Sequence, residues 1–141
     1  MNEYSLNNLL IGTEEKFTVR VTEDMHLNFK KYTGDVNPIH VDDKFAKKNG
    51  FYDVLVYGML TASFYSTLVG VYLPGKYCIL QECKTSFYNP VYIGDELTVI
   101  GNVKDIDYIL KRITIKAKII NQNMKRVSKA TIIVGLTKEE N

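Results

Sequence analysis

At 141 residues the chain is long enough to bury one core, and its 18 basic and 16 acidic side chains leave a net charge of +2, too balanced for a nucleic-acid surface. Hydrophobic residues make up 45% and charged residues 24%, with no run of five like charges, so disorder, collagen and coiled coil are all excluded. Cys78 and Cys83 fit neither a CxxC pair nor a zinc ribbon. On one strand they would point to opposite faces, so a mutual disulfide is not expected and both read as thiols in a reducing compartment.

Near the N-terminus Glu3 and the lack of a basic run argue against a secretory leader. Phe17, Val19 and Val21 alternate with Lys16, Thr18 and Arg20, which predicts a strand. Thr22 then caps a helix, with Glu23 and Asp24 in its first turn and an end at Gly34. His26, within that helix, has no partner motif and reads as a surface or packing residue. Residues 35–57 read as irregular, with turns at Asn37-Pro38 and Asn49-Gly50 and a short helical turn over Asp43 to Lys48 that Asp42 and Asp43 would cap. From Gly58 to Leu73 the pattern is helical and apolar nearly all round, as for a central buried helix, and Pro74-Gly75 stops it. It is too short and too polar to span a bilayer.

Strands follow. One covers Tyr77 to Tyr88 and another carries Leu97, Val99 and Val103. In a third, Leu110, Ile113, Ile115, Ala117 and Ile119 face one way against Thr114, Lys116 and Lys118. After a turn at Asn121 to Asn123, Ala130, Ile132, Val134 and Leu136 form the last. A single α+β domain over residues 1–141 is predicted, a curved antiparallel sheet around one central helix, with an open edge that a dimer would cover.

The segment with chemistry in it is Gly34-Asp35-Val36-Asn37-Pro38-Ile39-His40. Pro38 fixes its own φ and holds Asn37 extended, so Asp35 and His40 keep a defined relation. A carboxylate and an imidazole so placed can hold one water and move its protons. On spacing alone, a turn-capping Asp and a structural His fit as well. Along the central helix Gly58, Ala62, Ser66 and Gly70 recur every fourth residue and make a small-residue face. That face suits either a groove for an acyl thioester, with the Gly58 N–H turned to an oxyanion, or close packing of helix on sheet.

Asp35 to His40 resembles the D-x-N-P-x-H signature of the MaoC-like, R-specific enoyl-CoA hydratases. Tyr57 to Ser63 resembles the H-G-M-L-x-A-S opening of that family's central helix. Phe87 to Val91 with Gly94-Asp95 resembles its F-x-x-P-V-x-x-G-D junction. The likeness runs over roughly residues 5–136. It implies a hot-dog fold and a hydro-lyase that reversibly adds water to a trans-2-enoyl thioester, giving the R-3-hydroxyacyl thioester. Asp35 and His40 would then be the acid–base pair and Gly58 N–H the oxyanion donor. Ser66 would lie near the substrate and Asn37 would support the loop. No metal or cofactor is implied beyond the coenzyme A or carrier-protein thioester that is the substrate, and a homodimer or dimer-based oligomer is expected, in the cytoplasm. Two departures stand out. Tyr57 replaces a common histidine at the expected pocket mouth, and Tyr88 and Asn89 stand where basic residues are common. The rival functions are a 3-hydroxyacyl-carrier-protein dehydratase, a hot-dog thioesterase, or a non-catalytic acyl-thioester-binding subunit.

Overall fold

The computed structural model describes residues 1–137; the rest of the expected domain lies outside the described residues. Five strands, β1 (Glu14–Arg20), β2 (Cys78–Phe87), β3 (Glu96–Asp107), β4 (Arg112–Ile120) and β5 (Arg126–Leu136), form one antiparallel sheet in the order β1-β3-β4-β5-β2. Four α-helices, α1 (Glu23–Thr33), α2 (Pro38–Val41), α3 (Asp43–Lys48) and α4 (Gly58–Thr67), lie between β1 and β2 in the chain. This is the hot-dog arrangement, a curved sheet wrapped on one long helix.

Local rules account for most elements. Thr22 accepts from the Met25 N–H, and Gly34 closes α1 at φ 73°, its N–H on the Lys30 carbonyl. On β4, Ile113, Ile115, Ala117 and Ile119 are buried while Lys116 and Lys118 are exposed, the period-2 pattern read from sequence. Leu110 departs from it: it sits in the β3–β4 connection, exposed, because Asp107 accepts from the N–H groups of Ile109 and Leu110 and turns the chain before the strand begins.

Gly101, Ala117 and Ala130 lie side by side on β3, β4 and β5, a trough of small residues across the inner face of the sheet. Leu68, fully buried, fills it: a Cβ on Gly101 would stand 2.7 Å from Leu68 Cδ2. Gly101→Val is therefore expected to cost about 1–3 kcal/mol by overpacking, read as a lower midpoint in urea unfolding; an unchanged midpoint would show that Leu68 can move aside.

The central helix is not continuous. α4 ends at Thr67 and passes into a π-helical turn over Leu68–Tyr72, closed by the Leu73 N–H on the Leu68 carbonyl at 2.8 Å. The i,i+4 series Gly58, Ala62, Ser66 thus breaks before Gly70. Nor is α4 buried all round: Leu60, Thr61 and Tyr65 are buried, whereas Met59, Ser63 and Ser66 are exposed. Tyr65 is the anchor. Its hydroxyl meets Ser128 Oγ at 2.9 Å, and burial pushes its pKa up to about 12, partly offset by that hydrogen bond.

Both cysteines are free: Cys83 is exposed, while burial pushes the Cys78 thiol up to about 11. No helix among the described residues is long and apolar enough to cross a membrane.

Candidate active site

The expected site loop begins where Gly34 ends α1. Asp35 is exposed, and its Oδ1 accepts from the Asn37 N–H at 3.0 Å, an Asx turn. The Asn37 side chain in turn accepts from the Ile39 N–H and caps α2, a four-residue helix with Pro38 in its first turn. The sequence reads this stretch as irregular, yet an Asn cap followed by Pro at the first helical position is a helix-start signal. Asn37 is thus the cap of α2. Asp42 caps α3 through the N–H groups of Lys44 and Phe45.

His40 stands on α2 and is clamped from both sides. Its Nδ1 lies 2.7 Å from the Leu55 carbonyl, while the Leu55 N–H donates to the Ile39 carbonyl at 3.0 Å. A carbonyl can only accept, so Nδ1 carries a proton, and in the neutral imidazole the lone pair is on Nε2. The His40 carbonyl is itself held at 2.9 Å by Nε2 of His26. His26 is thus a core residue, 3% exposed, the packing alternative of the sequence reading.

Tyr57 joins the two halves of the loop, and sequence reasoning missed this. Its side chain is buried rather than at a pocket mouth. The ring lies against His40, with centroids 4.1 Å apart, and against His26 and Phe29 at 4.8 and 5.0 Å. Its hydroxyl donates to the Asp35 carbonyl at 2.6 Å. Burial, and next the charge of Asp35, raises the Tyr57 pKa, so the phenol stays a donor. Tyr57 thus touches the Asp35 backbone through its hydroxyl and the His40 imidazole through its ring, while the Asp35 and His40 side chains make no direct hydrogen bond among the described residues. The signal was its place beside Gly58; the contacts depend on α1, which no local pattern reveals.

His40, Gly58 and Thr61 line a cavity of about 280 Å³ whose other walls are mostly apolar, among them Phe51, Phe87 and Val91. Gly58 opens α4, whose N-terminus has no side-chain cap, so its first N–H groups keep their donor capacity. Phe87 covers Gly58: a Cβ there would lie 3.4 Å from the Phe87 ring. Asp35, Asn37 and Ser66 are not among the lining residues; Ser66 is exposed two turns further along α4.

Thr61 is 1% exposed and its hydroxyl has no hydrogen-bond partner among the described residues. An unpaired buried hydroxyl costs on the order of 1–3 kcal/mol, so Thr61→Val is expected to raise the melting temperature. A fall would show that the hydroxyl is satisfied in solution.

A family model described as MaoC like domain matches residues 8–127. The chain belongs to the MaoC-like domain family. It is 37% identical over 94 residues to an (R)-specific enoyl-CoA hydratase of Aeromonas caviae, covering 67% of this chain and 70% of that protein. It is 41% identical over 93 residues to a mitochondrial 3-hydroxyacyl-acyl-carrier-protein dehydratase of Solanum lycopersicum, covering 66% of this chain but only 55% of the tomato protein. A solved structure of an (R)-hydratase from A. caviae superposes with a TM-score of 0.87 at 31% identity, over 92% of this chain and 98% of the other.

Proposed function

We propose that this chain is an R-specific enoyl-thioester hydratase. The observation that carries the reading is His40: the Leu55 carbonyl fixes a proton on Nδ1, which in the neutral imidazole leaves an Nε2 lone pair on a residue that lines the same cavity as the uncapped start of α4. The hydratases among the relatives support it.

His40, in the cavity lining, holds one water that the Asp35 carboxylate reaches from outside that lining, and the pair takes a proton as the water oxygen bonds to C3 of the enoyl thioester. The electron pair of the C2–C3 double bond moves toward the carbonyl, and the Gly58 N–H stabilises the oxygen that becomes negative, a preorganised donor at a helix N-terminus. The proton then returns to C2, so one OH and one H have been added. The largely apolar cavity walls strengthen that hydrogen bond. Ser66, exposed on α4, would approach substrate only if a second subunit completed the pocket. A homodimer joined along β2 provides one: this edge strand exposes Ile79, Leu80 and Phe87, and Met59 is exposed on α4.

The test is hydration of crotonyl-CoA, followed as loss of the enoyl-thioester absorbance. Turnover to the R-3-hydroxy product is expected. Release of free thiol would make the protein a thioesterase, and binding without turnover an accessory subunit; either overturns the reading.

A further inference from the structure

The outer face of the sheet, turned away from α4, carries an unbalanced set of charges. Strand register places Lys16, Ile100, Lys118, Lys129 and Ser86 in one row across all five strands. The next row reads Glu14, Asn102, Lys116, Thr131 and Lys84. Both rows border a shallow hollow of about 700 Å³. Lys84 pairs with Glu82 at 3.6 Å and Lys116 Nζ donates to Thr131 at 2.8 Å. Among the described residues no carboxylate pairs with Lys16, Lys116, Lys118 or Lys129.

Lys118 and Lys129 stand directly opposite each other on β4 and β5. Like charges at facing positions destabilise a sheet, and the fold has no need of either side chain, since both are exposed. An anion that neutralises them would repay that cost. At about 4.8 Å per strand the lysines span on the order of 19 Å, wider than one phosphate group and in keeping with a protein surface. The hollow also reaches the candidate active site: Tyr88 lines both cavities, and the Arg126 guanidinium sits 5.6 Å over its ring, adding one more positive charge at the junction.

We propose that this lysine face docks an acidic carrier protein that delivers the acyl thioester on a flexible arm. The proposal rests on the hydratase reading for its substrate and on the lysines for its partner. Long exposed lysines suit electrostatic steering, which raises the encounter rate and is weakened by salt.

The test compares the native 141-residue protein with a Lys116→Gln/Lys118→Gln/Lys129→Gln variant, on crotonyl-loaded acyl carrier protein and on crotonyl-CoA. With the face neutralised, KM for the carrier-borne substrate is expected to rise about tenfold or more, while kcat and CoA-borne turnover stay within about twofold. Calorimetric binding of the unloaded carrier should weaken in 0.5 M salt and vanish in the variant, whose melting temperature should not fall. An unchanged carrier KM overturns the proposal. So does an equal rise for crotonyl-CoA, which would make the face a site for the nucleotide phosphates. If neither substrate turns over with the native protein, the hydratase reading fails alone: salt-sensitive carrier binding lost in the variant would still uphold the docking face, and its absence would overturn that too.

Discussion

Asp35→Asn and His40→Gln are each expected to lower kcat for crotonyl-CoA hydration by about 10²- to 10⁴-fold, the range that positioned acid–base groups supply. Both changes preserve shape. Asp35 Oδ1 serves an Asx turn that an Asn oxygen can serve equally, and the His40 contact to the Leu55 carbonyl can be made by a Gln amide. Folding should therefore survive, and far-ultraviolet circular dichroism should be unchanged. If the two residues handle one water together, the double variant should be little worse than either single one, because groups acting as a unit are not additive. Two losses that multiply would mean independent roles, and a single variant with native rates would remove that residue from the chemistry.

Tyr57 gives the second large effect, this time on stability. Tyr57→Ala empties a site that is 2% exposed and touches His26, Phe29 and His40, so a loss of about 3–5 kcal/mol is expected from denaturant melts. Tyr57→Phe keeps the ring and removes only the hydrogen bond to the Asp35 carbonyl, a cost of about 1 kcal/mol. The informative comparison is activity. Tyr57→Phe should lower kcat out of proportion to its small stability change, because the hydroxyl fixes the backbone that carries the carboxylate. A fully active Tyr57→Phe would show that the Asx turn alone positions Asp35.

Elements with a local cause were legible. Thr22 and Gly34 bound α1, Asp42 starts α3, and the alternation of β4 and β5 gives their buried faces; each needs only neighbours within a turn or the period of a strand. The Asp35–His40 segment was legible only in part: Asn37-Pro38, read as a turn in an irregular stretch, instead caps and starts α2. What could not be read depends on contacts across the fold. His26 is in the core because α1 folds back on α2, and Tyr57 reaches Asp35 across 22 positions of chain. The π-helical turn carries Leu68, whose side chain packs against Gly101 on β3, a contact far away in the chain. Leu110 kept a plausible period and still fell in a turn, because Asp107 offered the backbone a better partner.

Strand order also bears on the sequence of events during folding. β3, β4 and β5 follow one another through short connections and pair as neighbours, so this meander closes small loops. β1 reaches β3, and β2 reaches β5, only over long stretches of chain. The meander is thus expected to form first and its flanks afterwards. Phe87 on β2, Gly58 on α4 and His40 on α2 all come from the late-arriving part, so the candidate pocket should be the last region to mature and the first to open. Amide exchange should then find the slowest protons on β4 and much faster ones on α2, and mild denaturant should extinguish turnover while the meander still holds its protons.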